Sequence, residues 1–338
     1  MRHELVASMC VAGMAATAAL LAPGRLTAQS TAPTTVPPPA SKKWTPARTP
    51  DGQPDLQGIW VNFDSTPLEA PSGEDAARLK ALAEWFPGID APSGKREILG
   101  PNPAPEFADT SVKRSARRRS LVIDPPSGRV PVRPEAEGKR NTNLMHLTDS
   151  WKRHTPWERC ITRGVPGGMF PAGYNNGYVI LQTPDYVAIL YEMIHEARII
   201  PLDGSPHVDR NIRLWNGDSR GHWEGNSLVV EVTNYRAEEV GAVATGIATT
   251  ATLKGIPQTE AMRAVERFTR VDADTLQYEV TIDDPRVYAT PWKVAMPLNR
   301  ADDYRLFEYA CHEGNYGLPN TLSGARAHER PTGGAAPR

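Results

Sequence analysis

The chain has 338 residues, 40% of them hydrophobic, which is enough to bury a substantial core and excludes disorder along its whole length. Its 38 basic and 39 acidic residues leave a formal charge of -1, which removes the electrostatic argument for a nucleic acid or an anionic membrane surface as partner. With 32 Pro, 27 Gly, 8 Trp and 10 Tyr, the composition favours short strands and turns over long helices.

Arg2 and His3, the apolar stretch from Leu5 to Leu21, and Leu26-Thr27-Ala28 before Gln29 predict an export signal over residues 1–28. The stretch, about 17 residues long, is shorter than the roughly 20 that a membrane span needs. A periplasmic or secreted product without integral membrane association is therefore expected. Residues 29–54 are rich in Pro, Thr and Ala, and read as a tether. A strand opens at Asp55-Leu56-Gln57-Gly58-Ile59-Trp60. A short helix follows over 73–86, with Ser72 as cap, Glu74 and Asp75 in its first turn and Pro87-Gly88 as its stop. Residues 91–140 read as irregular, with a basic run from Lys113 to Arg119 taken as a solvated face and a short strand at Leu121-Val122-Ile123.

From Tyr178 onward the dominant signal has period two. Leu276, Tyr278, Val280 and Ile282 alternate with polar residues, and Leu228, Val230 and Val232 do the same, as do Trp292, Val294, Met296 and Leu298. Turn signals at Gly225-Asn226, Asp272-Ala273-Asp274 and Asp284-Pro285 separate these runs. Strands are predicted over 178–183, 186–200, 211–215, 220–225, 227–235, 263–271, 275–283 continuing into 291–298, and 304–312. The expected fold is mainly β: an antiparallel meander closing into a barrel, preceded by an irregular region carrying one short helix. It forms a single domain over 55–330, with a flexible tail at 331–338.

Cys10 lies inside the export signal, so the mature chain keeps Cys160 and Cys311. An even pair in an oxidising compartment is expected to form a disulfide, closing a loop of about 150 residues and contributing up to about 4 to 5 kcal/mol.

Gly58-Ile59-Trp60 before a meander resembles the lipocalin or calycin pattern. The runs Glu192-Met193-Ile194-His195-Glu196-Ala197-Arg198-Ile199-Ile200-Pro201-Leu202-Asp203-Gly204, Trp215-Asn216-Gly217-Asp218-Ser219-Arg220-Gly221 and Tyr309-Ala310-Cys311-His312-Glu313-Gly314-Asn315-Tyr316 resemble a large family of exported proteins from soil and environmental bacteria. This resemblance spans about 55–329, implies one domain, and supplies no mechanism.

In a continuous strand over 186–200, Val187, Ile189, Tyr191, Met193 and His195 share the inward face, which makes His195 a candidate general base. His312 and Asp203 are its candidate partners, and Tyr174, Asn175, Asn176, Tyr191, Trp215 and Arg198 are candidates for substrate contact. A metal shared by His195 and His207 is disfavoured, because a hairpin centred on Asp203-Gly204 holds them about 17 Å apart. Gly217-Asp218-Ser219-Arg220-Gly221 matches the letters of a nucleophile elbow, but a strand pattern follows the serine where a helix is needed. Phosphate-loop, zincin and paired-cysteine signatures are absent, so no cofactor is expected. The sequence points to a cofactor-independent enzyme acting on a small organic molecule by acid-base chemistry of lyase, isomerase or hydrolase type. The alternative is a lipocalin-like carrier that binds an apolar or aromatic molecule without turnover.

Overall fold

The computed structural model describes residues 44–62, 66–70, 118–172, 175–241 and 255–329. The export signal, residues 29–43 of the tether, the helix expected over 73–86, the basic run up to residue 117 and the tail lie outside the described residues. Trp44 to Pro54 is folded chain: Arg48 bridges to Pro54, and the Trp44 ring sits 5.6 Å from the Arg270 guanidinium.

The strands are β1 (Gly58–Val61), β2 (Val122–Asp124), β3 (Gly177–Gln182), β4 (Tyr186–Tyr191), β5 (Ala197–Pro201), β6 (Asp218–Glu224), β7 (Ser227–Thr233), β8 (Arg263–Arg270), β9 (Thr275–Asp283) and β10 (Trp292–Arg300). Nine of them form a nearly closed antiparallel barrel in the order β5-β4-β3-β1-β10-β9-β8-β7-β6. β2 pairs with β10 beyond the reach of β1. This is the mainly β, lipocalin-like architecture expected from the alternation. Leu276, Tyr278, Val280 and Ile282 of β9 and Trp292, Val294, Met296 and Leu298 of β10 are fully buried, their neighbours half-buried or more open except for Ala295. Truncating any of the large ones costs about 2 to 5 kcal/mol.

The barrel is sealed between β5 and β6 by side chains. A Cβ on Gly221 of β6 would lie 2.8 Å from Ile200 Cγ2 and 2.7 Å from Leu202 Cδ2, so glycine is what lets Ile200 of β5 and Leu202 just after it close the seam. Arg198 of β5 donates from Nε to Ser219 Oγ of β6 at 3.0 Å across the same gap.

Three expected strands come out differently. The run over 186–200 is broken by a 3-10 turn at Met193–His195, in which Ile194 (φ 65°) and His195 (φ 43°) adopt left-handed backbone conformations. The break inverts the side-chain parity. Val187, Ile189 and Tyr191 face inward before it, Arg198 and Ile200 after it, while His195, Ala197 and Ile199 are exposed. Residues 211–215 form only an isolated parallel bridge, Leu214 to Tyr235. The loop there is held instead by Asn234, whose Nδ2 donates to the carbonyls of Val208, Asp209 and Ile212 at 3.1, 3.0 and 3.1 Å.

Residues 304–312 form an irregular strap. Buried Glu192 holds it by accepting from the Tyr304 hydroxyl (2.8 and 3.0 Å) and the Phe307 amide (3.0 Å). Gly177, whose amide also donates to Glu192 at 3.0 Å, leaves the space: a Cβ there would come within 2.7 Å of the Tyr304 ring. The strap leads to α2 (Gly317–His328). α1 (Pro134–Met145) occupies part of the segment expected to be irregular, with Pro134 in its first turn beside Glu135 and Glu137. Its buried positions are Ala136, Arg140 and Asn143, too polar a set to stand out as an apolar stripe. Among the described residues, no helix is long and apolar enough to cross a membrane.

Candidate functional site

The expected cysteine pair is bonded, Cys160 to Cys311 with Cα atoms 5.6 Å apart, and it fixes the end of the strap to the loop after the 3-10 turn Trp151–Arg153. Beside this bridge lies an open cleft of about 620 Å³. One wall comes from His154, Trp157 and Glu158, and the other from Glu308 to Cys311, Glu313, Asn315 and the start of α2.

His195 sits on the exposed corner between β4 and β5. Its Nδ1 lies 2.7 Å from the carbonyl oxygen of Tyr309, a residue of the cleft wall. A carbonyl only accepts, so Nδ1 carries the proton and, in the neutral ring, Nε2 keeps a lone pair. The side chain is thus outside the barrel, where sequence alternation placed it inside. A left-handed conformation at a β-branched residue such as Ile194 costs on the order of 1 to 3 kcal/mol, and such strain concentrates at functional sites.

The neighbouring Glu196 belongs to a closed ring of three side chains. Thr162 Oγ1 lies 2.6 Å from Glu196 Oε2 and 2.8 Å from Asn216 Oδ1, while Asn216 Nδ2 donates to Glu196 Oε1. Three contacts need three donated hydrogens. Thr162 supplies one and the Asn216 amide one within the ring, whichever way that amide is turned. If all three contacts are hydrogen bonds, the third hydrogen comes from Glu196. Burial likewise raises the Glu196 pKa above the usual carboxylate range, against the opposing pull of its hydrogen bonds to Thr162 and Asn216. The corner therefore places an imidazole next to a largely buried glutamate whose hold on its proton is strengthened by burial.

The other expected site residues fall elsewhere. His312 is exposed in the turn that ends the strap and accepts from the Asn315 amide through its backbone carbonyl at 3.5 Å. Asp203 is exposed and accepts from the Ser205 amide at 2.9 Å, and its hydrogen bonds to Ser205 hold its pKa below the ordinary value. Nothing joins either of them to the His195 imidazole. His207 pairs with Asp218 at 2.7 Å, not with His195. Among the described residues, no group of three or more His, Cys, Asp and Glu could hold a metal ion. Ser219 lies within β6 as the acceptor for Arg198, so the elbow geometry does not form.

Of the expected substrate contacts, Tyr174 lies outside the described residues. Asn176 is 1% exposed and closes its own turn, exchanging hydrogen bonds with the backbone of Ala172 at 2.7 and 2.9 Å. Asn175, half-buried, takes a left-handed conformation at φ 51° in the same turn. The Trp215 ring is flanked by the guanidinium groups of Arg159 (5.4 Å) and Arg236 (4.8 Å). Tyr191 and Arg198 are in the barrel core.

In that core Arg198 forms a two-pronged ion pair with Glu266, at 3.1 and 2.5 Å, and Tyr278 donates to Glu266 at 2.8 Å. Burial alone lowers the Arg198 pKa, but the Glu266 carboxylate raises it above its ordinary value, so the guanidinium stays charged. Burial pushes the Tyr191 hydroxyl up to about 12, against the pull of Arg198. These side chains line the interior of the barrel, and the cleft described above is lined by residues outside the strands. Sequence reasoning missed Glu266 as the partner of Arg198, and missed Thr162, Asn216 and Glu196 as a ring, because only the folded chain brings each group together.

No family model, curated protein or solved structure matches this chain.

Proposed function

We propose that this protein is an exported enzyme that acts on a small organic molecule by acid-base chemistry, of lyase, isomerase or hydrolase type, without a cofactor. The observation that carries the reading is the strained corner at Ile194 and His195, which holds an imidazole outside the barrel against the cleft wall and beside Glu196, whose pKa burial raises. His195 Nε2 accepts a proton from the substrate while Nδ1 stays anchored on Tyr309, so the developing imidazolium is stabilised by that carbonyl. Glu196 supplies a proton through its ring with Thr162. The export signal in the sequence, together with the disulfide, supports a periplasmic or secreted location.

The test is a panel of small organic molecules assayed with wild type, His195→Ala and Glu196→Gln. Turnover by wild type that falls at least about a hundredfold in His195→Ala is the expected result. Turnover retained in both variants refutes the assignment. The second reading is a carrier that uses the same cleft, favoured by Trp157, Tyr309 and Leu318 in its walls. Saturable binding without turnover in any variant would select it.

A further inference from the structure

We propose that the protein self-associates as a twofold dimer through the outer face of β1, β3, β4 and β5. The alternation that buries Tyr178, Ile180, Val187, Ile189 and Ile200 in the core turns the residues between them outward. The register sets these out in rows across the strands. Ile59, Val179, Leu190 and Ala197 form one row, Leu181, Ala188 and Ile199 the next, and Tyr186 and Pro201 a third. Every one of them is apolar or aromatic, and none carries a charge. Leu181, Tyr186 and Ile199 are 50%, 45% and 55% exposed.

The other half of the barrel has the outer face that water requires. There Arg263 and Arg267 of β8 point outward and pair with Glu231 of β7 and Glu224 of β6, each at 2.8 Å. An antiparallel sheet with one face in water alternates apolar inside with polar outside, and β3 to β5 depart from that pattern.

Area and charge both select a second copy as the occupant. At about 150 to 200 Å² for a fully exposed large side chain, the three exposed residues and their partly buried neighbours present roughly 400 to 500 Å² of apolar surface. A stable interface takes about 800 Å² from each partner, of which about 56 to 65% is apolar, so the patch matches the apolar share of one side. In a twofold interface the same patch meets itself, and a charge near its centre would face its own kind. This patch carries none. Between Gly177 and Gly204 the only Lys or Arg is Arg198, held in the core by Glu266. An anionic lipid surface therefore meets no basic side chain here, and Asp185 and Asp203, exposed just beyond Tyr186 and Pro201, repel it.

The experiment is sedimentation equilibrium of the processed, disulfide-bonded chain without detergent. A monomer to dimer equilibrium with a Kd of about 10 μM or tighter is expected. Leu181→Lys combined with Ile199→Lys sets like charges on the face at two exposed positions, and is expected to weaken association at least about a hundredfold with unchanged circular dichroism. Leu181→Glu combined with Ile199→Glu is expected to do the same, and mixing the Lys and Glu variants to recover a dimer, which shows that both are folded. A wild type that stays monomeric at about 50 μM, a dimer that persists in both variants, or a mixture that stays monomeric would overturn the proposal. A monomeric wild type that binds phosphatidylcholine vesicles, and loses that binding in the Lys variant, would overturn it in favour of lipid.

Discussion

Replacing Glu266 by alanine tests whether the barrel interior depends on a buried ion pair. Glu266 is fully buried and Arg198 is 5% exposed, so the guanidinium has no route to water once its partner is gone. It would keep Ser219 Oγ as an acceptor from Nε, with the two terminal contacts to Glu266 removed. Leaving a buried charge uncompensated in this way costs about 3 to 5 kcal/mol. The Tyr278 hydroxyl, also buried, loses the acceptor it holds at 2.8 Å, which adds about 1 kcal/mol or more.

The expected loss is therefore about 4 to 6 kcal/mol, which at about 2 °C per kcal/mol for a domain of this size lowers the melting temperature by about 8 to 12 °C. Urea unfolding followed by tryptophan fluorescence, with the disulfide kept oxidised, measures it. The double variant Arg198→Met, Glu266→Leu removes both charges and is expected to be at least about 2 kcal/mol more stable than the sum of the single effects. Glu266→Ala within about 1 kcal/mol of wild type, or a double variant as unstable as that sum, would refute the reasoning.

Glu196 makes stability depend on pH with a defined sign. Its pKa is raised in the folded protein above the ordinary 4.5, so the folded state holds the proton more tightly than the unfolded chain. The stabilisation is full below about pH 4.5 and is lost as pH rises through the raised value. Unfolding free energies measured from about pH 4 to 8 should fall more for wild type than for Glu196→Gln, and a difference that is flat or rises with pH contradicts the three-donor count. Removing the disulfide with Cys160→Ala and Cys311→Ala opens a closure of 151 residues and should cost up to about 4 to 5 kcal/mol in urea unfolding. An unchanged denaturation midpoint would mean that Glu192 alone secures the strap.

The barrel was legible in the sequence because alternation is local: the faces of β7, β9 and β10 can be read from each strand alone, and the folded chain buries those faces. β8 was legible as a strand but not as part of an ion pair. Its inward face carries Ala264, Glu266, Phe268 and Arg270, and nothing near Glu266 in the sequence names a partner 68 residues away. The corner at His195 was misplaced for a different reason. Met193, Ala197 and Ile199 continue the period of Val187, Ile189 and Tyr191, and no Gly or Asn marks the left-handed turn. Arg198 hid the inversion, because an unbroken strand would place this charge outside the barrel, where a charge is expected, and the turn places it within.

The same inversion carries the functional argument. Parity is inverted at the cost of two left-handed residues, and the side chain those residues turn outward is an imidazole. A strand that merely needed to pass from β4 to β5 would be served by Gly or Asn at these positions at less cost. Ile194 is held there, 7% exposed, by burial at the barrel end, and His195 by the carbonyl of Tyr309. Glu192 and the Cys160–Cys311 bridge in turn fix the strap that carries that carbonyl. The local strain is thus sustained by contacts from three separate parts of the chain. Their common effect is to fix the orientation of one exposed ring beside Glu196, which the proposed acid-base chemistry requires and closing the barrel does not.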